Sequence, residues 1–179
     1  MISSITNITL AALCFFNTMA DFDITKLVQK RMQKEITKVF LCNDFNLENI
    51  SGSPGFQFKN STYLMDHQIY AINKGDELLG YAFLGTAPSK TDTFEYLILF
   101  DQNFIQKKAK VMVYREHYGG EISSKRWLSQ FQNSSLGERF IYGDNISAIS
   151  GATISVKSMT NSINYVYSQL QPQLAVVSR

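Results

Sequence analysis

Between Phe94 and Phe100 the chain reads Phe-Glu-Tyr-Leu-Ile-Leu-Phe, an apolar run broken only by Glu95. A run this short and apolar reads as a buried strand, and a buried strand needs partners for its backbone N–H and C=O groups. Strand patterns flank it. Gln68 to Lys74 and Glu77 to Thr86 enclose Gly75-Asp76, a hairpin signal. Pro88 to Thr93 reads as a turn. Asp101-Gln-Asn103 turns the chain into Ile105 to Glu116, with alternation at Val111, Val113 and, less cleanly, Ile105.

The period changes on either side of this block. Near the C-terminus, Val156, Met159, Ile163, Val166, Tyr167 and Leu170 form one helical stripe over about Ser155 to Leu170, and Gln171-Pro172 is expected to end it. Near the start, Asp23 can cap a helix with Ile24, Leu27, Val28, Met32, Ile36, Val39 and Phe40 on one face. Asn43 to Lys59, rich in Asn, Ser, Gly and Pro, reads as a loop. Ser124 can cap a short helix carrying Trp127, Leu128 and Phe131, after which a polar stretch leads to Phe140-Ile-Tyr142. Together these predict an α+β fold, a curved antiparallel sheet with helices packed on it. The expected division is 1–20, a signal peptide or N-terminal anchor; 21–60, a helix and loop; and 61–179, the main domain.

Residues 1–20 carry no charged side chain, and Ile8 to Phe16 is apolar apart from Thr9. Thr18-Met19-Ala20 before Asp21 fits a small-residue cleavage site, which implies export. The apolar run is short for a spanning helix. Leu13 before Cys14 argues against a lipid anchor. With that segment removed, Cys42 is the remaining cysteine, which excludes an internal disulfide and a zinc or iron–sulfur site. Cys42 reads as a small core residue.

A net charge of +2 without a basic stripe across the domain excludes nucleic acid as a partner. Lys26, Lys30, Lys34 and Lys38 line one helix face, which is either solvated or turned to an anionic membrane surface. Lys107, Lys108 and Lys110 read as a solvated strand end. His67 and His117 lie far apart and read as surface or loop residues, so no metal site is expected. Glu116 and His117, adjacent in a strand, point to opposite faces and do not form an acid–base pair. There is no dinucleotide fingerprint, phosphate-binding Walker loop or nucleophile elbow, and no histidine follows Thr153 to complete a triad.

The chemistry concentrates in Ser150-Gly151-Ala152-Thr153, just where the last helix begins. Two readings apply. Ser and Thr are favoured N-caps, and the four residues then form an ordinary cap turn. Alternatively, the free N–H groups and positive dipole end of the helix receive a phosphate, with Gly151 and Ala152 small enough to let it approach.

Ile149-Ser-Gly-Ala-Thr-Ile-Ser155 resembles the flavinylation motif of the FMN-binding domain family, which includes the G subunit of Rnf-type redox complexes and the C subunit of the sodium-translocating NADH:quinone reductase. Val113-Tyr-Arg-Glu-His117, followed by Trp127-Leu128 and Phe131, is similar to that family's strand, loop and helix. The likeness covers roughly Gln68 to Leu170. It implies FMN attached covalently through a phosphoester to Thr153, with Ser150, Gly151, Ala152 and Ser155 around the phosphate and Trp127 and Leu128 as further cofactor-binding residues. The family's acidic position falls on Ser147, and Asp144 stands three residues earlier.

The resemblance implies an extracytoplasmic electron carrier rather than a stand-alone catalyst. A separate flavin transferase would mature it, and a membrane redox complex or reductase would exchange electrons with it. A tether suits a compartment without free flavin, because it keeps the local concentration high. The loop Tyr118-Gly-Gly120 is expected to act as a lid, with Tyr118 or Trp127 against the ring. Two alternatives stay open: a ligand-binding or sensory module of the same fold without flavin, and the flavin subunit of an extracytoplasmic reductase.

Overall fold

The computed structural model describes residues 26–177. The signal or anchor segment 1–20, with Cys14 and the expected cleavage after Ala20, lies outside the described residues, as do Asp23 and Ile24. Among the described residues no helix is long and apolar enough to cross a membrane. Two compact units divide the chain, Met1–Glu35 and Ile36–Arg179. The first described element, helix α1 over 26–40, carries residues of each. In the first unit Val28 and Met32 are buried, whereas Leu27 is exposed.

The second unit holds five strands: β1 (Asn46–Asn49), β2 (Asp66–Lys74), β3 (Glu77–Pro88), β4 (Thr93–Asp101) and β5 (Gln106–Val113). They form one antiparallel meander in the order β1-β2-β3-β4-β5. The β2–β3 hairpin closes as read, with Lys74 opposite Glu77 and Gly75 at φ 58°, a left-handed value that a two-residue hairpin turn demands. At the β4–β5 turn the Asp101 carboxylate accepts from the N–H groups of Asn103 and Ile105, each at 2.9 Å. Register shifts at Ile72/Asn73, Glu95/Tyr96 and Leu99/Phe100 bend and twist the sheet.

The apolar run of β4 is buried on both faces. On one face Tyr96, Ile98 and Phe100 join Phe83, Tyr81 and Val111 in the main core. On the other, Leu97 and Leu99 are buried with Ile72 and Ala82, and the Phe40 ring stands 2.9 Å from where a Cβ on Gly80 would project. Helix α2 (Lys125–Leu128) and the long α3 (Thr153–Val177) follow the sheet. Every residue of the α3 stripe, from Val156 to Leu170, is buried in the main core. Each such side chain contributes about 1.5–3 kcal/mol.

Buried hydroxyls fix how α3 lies on the sheet. Tyr96 of β4 and Ser162 of α3 share a hydrogen bond. Tyr167 donates to Gln106 of β5 at 3.0 Å and shares a second bond with Ser134 at 2.6 Å. Burial raises both phenols far above the ordinary tyrosine range, so they stay neutral donors.

Four features depart from the sequence reading. The edge strand β1 lies inside the expected loop Asn43–Lys59. Strand β5 stops at Val113, so Tyr114 to His117 are loop residues, and Glu116 and His117 are not strand neighbours. Helix α3 begins at Thr153 and continues through Pro172 to Val177. Proline removes one ladder bond, but its fixed φ is a helical one, so the chain need not leave the helix there. Cys42 is half-buried just past α1, its thiol directed to the Asp44 carbonyl, and is not a core residue.

Candidate functional site

Residues Ile149 to Ala152 form a tight turn in which the Ala152 N–H donates to the Ile149 carbonyl at 3.2 Å. Gly151 takes φ 77° at the third position, where a type II turn requires a left-handed residue. The Ala152 carbonyl then accepts the first helical bond, from the Val156 N–H at 2.9 Å. Ala152 is therefore the N-cap and Thr153 the first helical residue. This corrects the cap reading in one respect. Neither Ser150 nor Thr153 occupies the cap, and alanine has no oxygen with which to cap. The N–H groups of Thr153, Ile154 and Ser155 find no acceptor among the described residues. Thr153 is exposed, and Ala152 and Ser155 are buried.

A second glycine loop lies directly against this turn. Gly119 has φ 73°, and a Cβ built on it would stand 2.3 Å from the Ala152 Cβ. A Cβ on Gly151 would stand 3.5 Å from the Cβ of Tyr118. Three consecutive residues hold the approach to this loop. The Tyr114 phenol shares a hydrogen bond with Ser155 at 3.0 Å and donates to the Tyr118 carbonyl at 3.3 Å. Arg115 pairs with Glu95 at 2.8 Å and donates to the Thr93 carbonyl. The Glu116 carboxylate accepts from the Thr91 N–H at 2.6 Å and from the Ser89 hydroxyl at 2.7 Å. Those bonds, Thr91 first, hold its carboxyl down to about 2. Glu116 thus stays ionised as a clamp on the β3–β4 turn.

Between loop and turn opens a cavity of about 270 Å³, walled by Tyr114, Glu116, Tyr118 and Lys90 and floored by Gly151 to Ser155. An anionic group there meets three free N–H groups, the positive end of a long helix and a lysine ammonium. The ionised Glu116 carboxylate opposes an anion there, although its oxygens are turned to the hydroxyl and amide donors of Ser89 and Thr91. The residues present fit a phosphate group.

Ser150 faces a different cavity, of about 450 Å³, shared with Trp127, Gln130, Glu121 and Arg126. Here α2 secures the segment before the turn. Ser124 caps α2 by accepting from the Trp127 N–H at 3.2 Å. The Trp127 indole N–H donates to the Ser147 carbonyl at 2.8 Å, and the Ser147 N–H donates to the Gln130 side-chain oxygen at 2.7 Å. Trp127 also meets Phe131 edge-on at 5.3 Å, so it is a core anchor and a cavity wall at once.

The sequence-predicted residues are therefore divided. Gly151, Ala152, Thr153 and Ser155 line the smaller cavity, and Ser150 and Trp127 the larger. Leu128 is buried in the core and lines neither. Tyr118, 77% exposed, stands at the smaller cavity's wall. Ser147 and Asp144 are exposed. His67, half-buried in β2, joins Phe58 and Phe83 in a three-ring cluster and lines neither cavity, and burial lowers its pKa. Sequence reasoning missed Lys90 and Gln130 and read Tyr114 as part of a strand; Gly119 entered it only within the expected lid Tyr118-Gly-Gly120, and its contact with Ala152 has no local signal.

No curated protein matches the chain. The model of the FMN-binding domain family matches residues 69–168, from β2 through most of α3. That span takes in the turn, the loop and α2, and on it the chain belongs to the FMN-binding domain family.

Proposed function

We propose that this chain is an extracytoplasmic electron carrier whose FMN is joined to the Thr153 hydroxyl through a phosphoester. The observation that carries the reading is the uncapped start of α3. Three N–H groups find no acceptor among the described residues, and an exposed hydroxyl stands on the first helical residue beside them. Those N–H groups and Lys90 balance the phosphate charge, Gly151 keeps a side chain out of its way, and Gly119 lets the loop rest on the turn. Bound FMN supplies the redox chemistry. Tyr118, Trp127 and the elements beneath them supply placement and shelter from water. Thr153 is a modification site, not a catalyst.

A flavin transferase matures the protein, and a membrane redox complex or reductase is its electron partner. The charge-free apolar segment 1–20 supports export and a place at the membrane. Intact mass spectrometry of protein from the native envelope tests both halves of the reading. The expected result is a chain beginning at Asp21 and carrying one FMN. An unlabelled chain retaining Met1 in the cytoplasm contradicts both.

Ser147 favours a second reading, a ligand-binding or sensory module without flavin. It stands where the family carries an acid, with its backbone held by Trp127 and Gln130. A chain that a compatible transferase never labels supports that alternative.

A further inference from the structure

We infer that Tyr114 is a positioning residue for the Thr153 site, its phenol latching the Tyr118–Gly119 loop to the first turn of α3. The inference rests on the flavin reading above and goes beyond it, because Tyr114 lies outside the attachment turn.

The latch follows from where Tyr114 sits and what it touches. Its backbone follows β5 directly and is held from the next two residues by the Arg115–Glu95 pair and the Glu116 bonds to Ser89 and Thr91. Its ring packs edge-on against the buried Phe94 at 6.0 Å. From this fixed base the phenol spans two elements, with Ser155 at 3.0 Å and the Tyr118 carbonyl at 3.3 Å. A phenol has one proton, and a carbonyl has none to give. The phenol therefore donates to Tyr118, and the Ser155 hydroxyl donates to the phenol. While the latch is closed, the Ser155 proton is committed to Tyr114. The phosphate then depends on backbone N–H groups and Lys90, and Ser155 acts through the loop.

The latch counts because the loop has little else to hold it at that point. Gly119 touches Ala152 without a side chain of its own, and Tyr118 is exposed. The Gly119 carbonyl accepts from the Ile122 N–H at 3.2 Å, so loosening the loop loosens that amide as well.

Tyr114→Phe keeps the ring against Phe94 and removes the shared hydroxyl. Ser155→Ala removes the other half of the bond. Two measurements are made on the full chain: hydrogen exchange of the Ile122 amide without flavin, and the rate of covalent labelling during co-expression with a flavin transferase. In either variant, exchange should rise about tenfold and labelling should slow about tenfold, with Thr153 intact and the urea midpoint near wild type. The double variant should be no worse than the worse single one, because the two hydroxyls form one link. Unchanged exchange in Tyr114→Phe overturns the latch. Faster exchange with unchanged labelling overturns its service to Thr153. If wild type is never labelled, the flavin reading fails and with it the Thr153 role of Tyr114; the exchange arm then separates that failure from absence of the latch itself.

Discussion

Gly119 and Ala152 touch so closely that a Cβ on Gly119 would lie 2.3 Å from the Ala152 Cβ, with Gly119 itself at φ 73°. Two glycine-bearing segments some thirty residues apart in the chain thus form one surface. Gly119→Ala should destabilise the fold by about 1–3 kcal/mol, through backbone strain and overpacking together. Gly120→Ala, which meets nothing within 4 Å, is the matched control. Urea midpoints for the pair decide the matter. Equal midpoints would mean that the loop does not rest on the turn.

The hold of α3 on the sheet is tested from its centre. Ile163 is fully buried in the stripe. Ile163→Asp places a carboxylate there without a partner, at a cost of several kcal/mol, comparable to the whole margin of a domain. The expected outcome is a protein unfolded or nearly so in dilute urea. A midpoint equal to wild type would show that the helix does not set the position of Thr153.

How far the sequence reaches follows from the physics of each element. Burial has a period, so the run Phe94–Phe100 and the stripe from Val156 to Leu170 were legible. So was the Gly75-Asp76 hairpin, because its backbone demands such residues. Strand β1, Asn-Leu-Glu-Asn, was not, since a short edge strand exposed to solvent needs little apolar content. Lys107 and Lys108 stand at the start of the other edge strand, β5, with Lys110 two residues further along it. The motif singled out Thr153 as a candidate, but the cap at Ala152 depended on where the turn closed. The Tyr114–Ser155 link joins distant segments, and no local pattern announces it.

Glu116 makes stability depend on pH in a defined window. Its carboxyl is held down to about 2, below the ordinary 4.5, chiefly by the Thr91 N–H and then the Ser89 hydroxyl. A depressed carboxylate contributes stability that is present above about 4.5 and is lost as pH falls toward about 2. Thermal melts across that range should show wild type losing more than Glu116→Gln, with the two curves converging at the acid end. Parallel curves would mean that the clamp on the β3–β4 turn contributes nothing.

Ser147 is exposed, and the resemblance of the motif implies an acid at its position. Its side chain makes no contact that the fold needs among the described residues, since the Trp127 and Gln130 bonds are to its backbone. Ser147→Asp should therefore leave stability within about 0.5 kcal/mol and raise the fraction of chains labelled by a flavin transferase. An unchanged fraction, read by absorbance against total protein, would show that the acid does not limit recognition.

The central claim is that the Thr153 oxygen carries the flavin, and in-gel fluorescence under denaturing conditions tests it most directly. Wild type, Thr153→Ala, Thr153→Ser and Ser150→Ala are each co-expressed with a flavin transferase. Thr153 is exposed and is not the cap residue, so Thr153→Ala should fold with a stability within about 0.5 kcal/mol of wild type. The predicted result is a fluorescent wild-type band, no fluorescence in Thr153→Ala, retained fluorescence in Thr153→Ser and a weaker band in Ser150→Ala. A Thr153→Ala band as bright as wild type would contradict the attachment site, and a wild type that stays dark with every compatible transferase would contradict the covalent carrier itself.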